Sequence, residues 1–253
     1  MPILLVILFF LTAALYASVG FGGGSTYNAL LVLNGVDYRV LPTIALLCNI
    51  IVVAGGTFRF ARSGHLKFKS LYPFIITSIP LAWLGGRIPV SETLFIGALG
   101  FSLLFAGLHL VFSQVSESDQ KQKSRPIFIS AITGGGIGFL SGLVGIGGGI
   151  FLAPVLYFLR WGRPKEIAAA CSFFILVNSI SGLAGQITKL NDLGIFSMVT
   201  PYWPLFPAVL VGGQLGSMLA NDRLQSITIK RLTALLILYV SARLILRWLN
   251  IVF

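Results

Sequence analysis

The stretch SVGFGGGSTYNALL, residues 18–31, places four glycines and several small polar residues in a sequence that is otherwise as apolar as a membrane helix. A second stretch, GLVGIGGGIFLAPVL, residues 142–156, repeats its G-x-G-G-G core at an offset of 125 residues. Glycine costs about 1 kcal/mol relative to alanine inside a helix, so such a run predicts a break with unwound backbone. The chain therefore carries the same predicted helix break twice.

The composition of the chain is that of an integral membrane protein. Of its 253 residues, 56% are hydrophobic and only 10% are charged, and the mean hydropathy is +0.93. Charged residues make up about a quarter of ordinary soluble domains. Most of the apolar stretches approach the ~20 residues that a membrane-spanning helix needs. They lie at 3–18, 40–58, 71–86, 93–112, 127–143, 167–185, 198–219 and 232–249. We therefore predict an all-α protein that crosses the lipid bilayer several times.

The charged residues are biased towards Lys and Arg, of which there are 18 against 7 Asp and Glu. In a soluble protein this excess would favour a nucleic acid partner, but in a membrane protein basic residues collect in cytoplasmic loops and set the topology. We therefore expect the lipid bilayer as a partner, and no nucleic acid. Cys48 and Cys171 lie in apolar segments without a neighbouring His, which favours small core residues over a metal site or a disulfide. No metal and no cofactor are expected.

The sequence is duplicated beyond the glycine motif. The segment 80–86 reappears as 207–213 at an offset of 127 residues, and Asn49 matches Asn178 at an offset of 129. Offsets that drift so little over half the chain indicate a tandem duplication. We expect the two copies to form one membrane domain. The predicted units are a first repeat over residues 1–113, a polar linker over 114–126 and a second repeat over 127–253.

Two topologies fit this duplication, and they differ in the path of each glycine segment. Each segment is either the middle of a broken spanning helix, which gives eight spanning helices in two parallel repeats, or the turn of a re-entrant hairpin. Hairpins give two inverted repeats, each a hairpin followed by three transmembrane helices. They place thirteen basic residues on one side and five on the other, whereas broken spanning helices give ten against eight. Because cytoplasmic loops carry an excess of Lys and Arg, we predict the hairpins, with both termini facing away from the cytoplasm.

The two predicted breaks form a candidate substrate site. Unwound backbone at membrane depth persists only where protein buries it or water solvates it, and hairpins from opposite faces bring both tips together near the bilayer midplane. The short helix after each break presents free N–H groups and a positive dipole end, which suit an anion, and glycine lets an oxyanion approach closely. Neutral donors would then hold a three-oxygen anion without a buried cation. The candidate substrate-binding residues are Gly22, Gly23, Gly24, Ser25, Thr26, Asn28, Asn49, Gly147, Gly148, Gly149, Asn178 and Arg87.

The small and polar residues of these helices also have purely structural interpretations. Glycine clusters often serve close helix packing, which is the role we expect for Gly85–Gly86 and Gly212–Gly213. A buried amide such as Asn49 or Asn178 either bonds neighbouring helices or binds a ligand. Arg87 lies near a helix end, where long basic side chains commonly extend to the membrane surface.

The paired glycine motifs resemble those of a known family. The second motif continues as GIGGGIFLAPVL, residues 145–156, and the pair is similar to the sulfite exporter TauE/SafE family, also called TSUP, over nearly the whole chain. The resemblance implies a multi-pass permease of a bacterial or archaeal inner (cell) membrane. It also implies transport of sulfite, sulfoacetate, other sulfonates or related organic anions, with no enzymatic reaction. Ala29 stands in the first copy where the second has Pro154, so we expect the two tips to differ. A homo-oligomer is compatible with the sequence.

Two other functions compete with transport. A membrane-embedded enzyme or redox subunit would need a catalytic set or metal ligands, and the chain has only two His, neither deep in a predicted helix. A structural partner of another membrane complex would have no need of duplicated helix breaks. We therefore expect a transporter with a small anionic substrate.

Overall fold

The computed structural model describes residues 2–18, 20–112, 127–219 and 226–252, and over these residues the chain forms helices and no strands. The α-helices are α1 Ile3–Ser18, α2 Gly24–Leu33, α3 Leu41–Arg62, α4 Phe68–Arg87, α5 Glu92–Phe112, α6 Ile127–Val144, α7 Gly149–Phe158, α8 Pro164–Asp192, α9 Leu205–Leu219 and α10 Ser226–Val252. A 3-10 helix, Phe196–Tyr202, precedes α9. Four helices in the described ranges are long and apolar enough to cross a membrane: Leu41–Arg62, Glu92–His109, Ile127–Val144 and Lys165–Asp192. The prediction of an all-α membrane protein is confirmed.

Helix α8 is longer than the apolar stretch that predicted it. The stretch ends at residue 185, whereas the helix continues through Lys189 to Asp192. Residues 186–192 contain no glycine or proline, and the chain leaves the helix where Gly194 adopts a φ of +67°. Lys189 therefore lies within the helix rather than in a loop.

Helix α1 packs in parallel on α9. A Cβ added to Gly212 would lie 3.1 Å from the carbonyl carbon of Phe10, and one added to Gly216 would lie 2.6 Å from Cα of Ala14. The contacts thus advance by one turn on both helices in the same direction. Small residues four apart allow two membrane helices to approach this closely.

Helix α3 also packs in parallel on α9. A Cβ added to Gly213 would lie 3.4 Å from Cα of Val52, and further along both helices Arg59 donates to the carbonyl oxygen of Ser217 at 2.9 Å. Helices α1 and α3 therefore run in the same direction. A single crossing between the start of α1 and the end of α2 would make α3 antiparallel to α1, so the observed direction is the one that a hairpin requires.

Helix α6 packs on α4 as α1 packs on α9. Cβ atoms added to Gly134 and Gly138 would lie 2.6 Å from Cα of Phe74 and 2.6 Å from Cα of Ser78, respectively. The two helices are again parallel, and glycines four residues apart again form the contact.

Helix α4 in turn packs in parallel on α8. Ser181 donates to the carbonyl oxygen of Ile79 at 2.6 Å, and a Cβ added to Gly185 would lie 2.9 Å from the backbone nitrogen of Arg87. Helices α6 and α8 therefore share a direction, as α1 and α3 do. The glycine segment of the second half reverses the chain in the same way as that of the first half.

Corresponding helices of the two halves pair antiparallel. The hydroxyl groups of Thr57 in α3 and Ser172 in α8 lie 2.9 Å apart, while earlier in α3 Leu46 lies beside Gly182, further along α8. Helices α5 and α10 pair in the same sense. Their contacts join Gly97 to Trp248 and Gly107 to Leu238. Inverted repeats require antiparallel pairs, whereas parallel repeats would give parallel pairs. The repeat bounds and the cytoplasmic side remain predictions.

The arms of the two hairpins are unequal. Helices α1 and α6 have 16 and 18 residues, whereas α2 and α7 have ten each. A Cβ added to Gly20 would lie 2.9 Å from the Phe60 ring near the end of α3, and one added to Gly145 would lie 2.8 Å from Cβ of Pro42 near its start. The two long arms thus end near opposite ends of α3, and each break leads back to the middle of that helix, beside Asn49. The sequence predicted tips near the bilayer midplane but did not predict that the two arms of each hairpin differ in length.

Candidate functional site at the two helix breaks

The two glycine breaks meet at Asn49, in the middle of α3. A Cβ added to Gly24 would lie 2.5 Å from Nδ2 of Asn49 and 2.7 Å from the carbonyl oxygen of Ile146. A Cβ added to Gly147 would lie 2.8 Å from the same amide nitrogen. Any larger residue at these glycines would displace the amide, so the glycines allow the two breaks to come together.

Two asparagines of the first half hold the backbone of the second break. Asn49 donates through Nδ2 to the carbonyl oxygen of Ile146 at 3.2 Å, and Asn28 of α2 donates to the carbonyl oxygen of Val144 at 3.0 Å. Both asparagines are fully buried. They satisfy the carbonyl group of Val144 at the end of α6, where the helix supplies no partner, and that of Ile146 in the break itself.

Both short helices begin at a glycine with a positive φ. Gly23 and Gly148 have φ of 84° and 82° and precede α2 and α7 without a side-chain cap. The backbone N–H of Tyr27 bonds Gly23 at 2.9 Å, and that of Leu152 bonds Gly148 at 3.0 Å. The N–H groups at the start of each helix precede these bonded residues in the chain and face the break. The positive end of each helix dipole faces the break as well.

Buried side-chain oxygens without a hydrogen-bond partner surround the breaks. Ser179 Oγ lies 3.1 Å from a Cβ added to Gly147, Ser141 Cβ lies 3.4 Å from one added to Gly148, and the Tyr27 ring lies 3.2 Å from one added to Gly23. Leaving such a group unsatisfied costs about 1–3 kcal/mol, so each is expected to bind a partner such as a ligand or water. The buried unpaired side-chain oxygens of the described ranges belong to Tyr27, Asn28, Thr43, Asn49, Ser141, Asn178, Ser179 and Gln186.

The structure brings most of the predicted residues together. Gly22, Gly24 and Gly147 lie against Asn49, whereas Gly23, Gly148 and Gly149 face other residues. Ser25 and Thr26 are buried in the first turn of α2, where Thr26 shares a 2.8 Å hydrogen bond with the Tyr16 hydroxyl. Asn178 is buried too, but its amide donates to Phe174 in its own helix at 2.8 Å, which leaves its oxygen unpaired.

Arg87 is not brought to the breaks. It ends α4 and forms a 2.6 Å ion pair with Asp192, with more than a third of each side chain exposed. This position supports the structural interpretation of Arg87 at a helix end.

Sequence reasoning missed Ser179 and Tyr27. Ser179 follows directly after the duplicated Asn178, and Tyr27 follows the first glycine break by three residues. The signal in the sequence that could have identified Ser179 is its position next to Asn178, a duplicated polar residue. Nothing in the sequence distinguishes Tyr27 from other aromatic residues of these helices.

A cavity of about 350 Å³ lies away from the breaks, beyond the end of α2. Its lining includes Asp37, Arg39, Glu92 and Arg247, and each arginine pairs with one of the two carboxylates, at 2.6 Å and 2.5 Å. The hydrogen bonds that Arg39 donates lower the pKa of the Asp37 carboxyl group. Because its charges are paired, this cavity lacks the unsatisfied groups found at the breaks.

Comparison with known proteins places the chain among membrane transporters. The family described as sulfite exporter TauE/SafE matches residues 5–244 of the chain. The probable membrane transporter protein y4hK of Sinorhizobium fredii is 33% identical over 244 residues, which cover 95% of this chain and 97% of that protein. The probable membrane transporter protein YunE of Bacillus subtilis is 23% identical over 270 residues, covering 96% and 97%. The probable membrane transporter protein MJ0441 of Methanocaldococcus jannaschii is 26% identical over 210 residues, covering 77% and 76%. No solved structure matches the chain.

Proposed function

The chain belongs to the sulfite exporter TauE/SafE family of membrane transporters, and we propose that it carries small sulfur-containing or organic anions such as sulfite, sulfoacetate or other sulfonates. The proposed membrane is the inner (cell) membrane of a bacterium or archaeon. The proposed site is the meeting point of the glycine breaks Gly22–Gly24 and Gly147–Gly149 around Asn49. The relatives are named as transporters and none of them as an enzyme.

The unpaired buried hydroxyl groups beside both breaks carry this proposal. Ser141, Ser179 and Tyr27 each hold an O–H group that has no hydrogen-bond partner in the described ranges. A sulfite or sulfonate group presents three oxygens that accept hydrogen bonds. Hydrogen bonds to such a charged group are worth about 1.5–3 kcal/mol each, more than those between neutral groups.

The starts of α2 and α7 supply the remaining donors. Each presents first-turn N–H groups and a positive dipole end at a break lined by glycine, which is a common setting for oxyanion binding. Helix starts and hydroxyl groups bind anions without forming ion pairs. An anion held in this way can be released again without separating a strong charge pair.

The bonds between the two halves supply a mechanism for movement. Asn28 and Asn49 of the first half hold carbonyl groups of the second half, so motion of one half against the other must break or exchange these bonds. Alternating access in transporters with inverted repeats is largely such a motion around a fixed site. An anion that satisfies the freed donors would couple its own binding to that motion.

The proposal is tested by binding and transport with purified protein in liposomes, using radiolabelled sulfite and sulfoacetate. Ser179→Ala removes an unpaired hydroxyl, whereas Ser181→Ala, two residues further along α8, removes one that bonds Ile79. We expect Ser179→Ala to weaken anion binding about tenfold or more and Ser181→Ala to lower the melting temperature instead. The proposal fails if the parent protein neither binds nor moves either anion.

A further inference from the structure

Lys189 is a buried cation near the end of α8. The residue is only 8% exposed, and it lies inside a helix that is long and apolar enough to cross the membrane. Within the described ranges, its ammonium group has no ion pair and no hydrogen bond. Ionisable residues buried within membrane proteins usually pair with another group or mark a substrate path.

The carboxylates of the described ranges are all engaged with other basic residues. The pairs are Asp37 with Arg39 at 2.6 Å, Glu92 with Arg247 at 2.5 Å, Glu166 with Lys67 at 2.9 Å and Asp192 with Arg87 at 2.6 Å. These cations are all more exposed than Lys189. The buried cation therefore lacks the partner that the exposed cations have.

The position of Lys189 on α8 directs it into the helix bundle. Residues three and four apart share a helix face, so Lys189 lies on the face of Gly185 and Gln186, and Asp192, which pairs with Arg87, follows one turn later. Gln186 donates to the carbonyl oxygen of Gly142 in α6 at 2.8 Å, and a Cβ added to Gly185 would lie 2.9 Å from the backbone of Arg87 in α4. A lysine extending to lipid headgroups would instead lie on an exposed face.

These contacts place Lys189 near the end of α6, which leads into the second break. Gln186 bonds the end of α6 three residues before Gly145, and Lys189 follows Gln186 by one helical turn. Ten residues separate Lys189 from Ser179, which is about 15 Å along the helix. Lys189 is therefore separate from the meeting point at Asn49 and lies nearer the end of the bundle.

We propose that Lys189 is the counter-ion of the transported anion at this end of its path, an inference that rests on the proposed function. Partial burial without an ion pair disfavours the charged ammonium group, and an oxyanion beside it would offset that cost. The ammonium group offers three donors on a flexible stem, so it can bind sulfite and larger sulfonates alike. The sequence predicted an anion held by neutral donors, with Arg87 as the one cationic candidate, and this inference adds a different cation outside the glycine site.

The test compares Lys189→Met with Lys165→Met, which removes the same charge from an exposed position on the same helix. Binding of sulfite and of sulfoacetate is measured by calorimetry on purified protein, and melting temperature is measured with and without each anion. We expect Lys189→Met to weaken binding about 10- to 100-fold and Lys165→Met to change it less than twofold. Lys189→Arg should retain binding within about tenfold of the parent protein.

Melting without anion separates this role from a structural one. If the ammonium group of Lys189 has no partner until an anion binds, Lys189→Met removes an unpaired charge. The anion-free variant should then have a melting temperature no lower than that of the parent protein. A lower melting temperature with unchanged anion affinity would overturn the assignment. Parent-like affinity in Lys189→Met would overturn it while leaving the proposed function intact, whereas a parent protein that binds neither anion would overturn both. Should Lys189→Met fail to purify, Lys189→Gln provides the same comparison.

Discussion

The side-chain nitrogen of Asn49 lies 3.2 Å from the backbone carbonyl oxygen of Ile146, so a helix of the first half holds the glycine break of the second half. Its counterpart in the duplicated sequence, Asn178, donates instead to Phe174 of its own helix. The two halves are thus similar in sequence but unequal at the site. This inequality leads to different expectations for equivalent residues.

Replacing Asn49 should impair transport more than replacing Asn178. Asn49→Leu leaves the Ile146 carbonyl group without its partner, at a cost of about 1–3 kcal/mol, and loosens the contact between the breaks. Asn178→Leu removes a bond within one helix and should have the smaller effect. Flux of labelled sulfite in liposomes measures both. Asn34→Leu is the matched control, because Asn34 also bonds within its own helix, at 2.8 Å, but lies at the exposed end of α2. Equal flux in Asn49→Leu and Asn34→Leu would show that Asn49 only packs against its neighbours and has no role in transport.

Valine at Gly148 should be more damaging than valine at Gly23. Both glycines have a positive φ, which costs a residue with a Cβ about 1–2 kcal/mol. A Cβ at Gly148 would also lie 2.9 Å from the Phe174 ring, whereas one at Gly23 would come no closer than 3.2 Å to any neighbour. Overpacking adds about 1–3 kcal/mol at the tighter position. Anion binding by variants that still purify as folded protein measures the effect.

Gly64→Val is the control for the glycine variants. Gly64 has a φ of +73° in a turn, and an added Cβ there would meet nothing within 4 Å. This variant isolates the backbone penalty from the site, so it should bind sulfite as the parent protein does. If folded Gly148→Val binds as tightly as Gly64→Val, the glycines serve only to pack helices.

The glycines of α6 should differ in their tolerance of alanine. A Cβ at Gly138 would lie 2.6 Å from Cα of Ser78, whereas one at Gly136 would meet nothing within 4 Å. Gly138→Ala should therefore separate α6 from α4 and lower the melting temperature. Gly136→Ala should be neutral or stabilising, since alanine is favoured over glycine in a helix by about 1 kcal/mol. Thermal unfolding in detergent compares the two, and equal melting temperatures would contradict the packing described for α4 and α6.

Cysteine labelling should place Pro2 and Gly35 on one side of the membrane and Gly64 on the other. Pro2 precedes α1, Gly35 follows α2, and Gly64 follows α3. In the hairpin topology α1 and α2 begin and end on the same side, which we expect to be the outer side. Single cysteines at positions 2 and 35 should react with an impermeant maleimide in whole cells, and one at position 64 only after permeabilisation. Labelling of positions 2 and 35 from opposite sides would contradict the hairpin and support the topology with a broken spanning helix.

Composition and local pattern were sufficient for the class of fold. Apolar residues at this density cannot remain in water, and runs of glycine cannot continue a helix, so membrane helices and two breaks follow from short stretches of chain. The starts of α2 and α7 at Gly24 and Gly149 agree with this reasoning. The end of α8 does not, because a helix can continue past its apolar stretch, and α8 ends only where the chain turns at Gly194.

The partners of the polar residues were decided only by the tertiary structure. Asn49 and Asn178 occupy equivalent places in the duplicated sequence, yet one bonds the opposite half and the other its own helix. Lys189 lies beyond the apolar stretch 167–185, and nothing in the sequence indicates that it is only 8% exposed in the folded chain. Local sequence sets where a helix begins and which residues are polar. Whether a polar group is bonded, unpaired or exposed depends on the helices that pack against it, and those contacts join residues that are, for example, 44 and 158 positions apart.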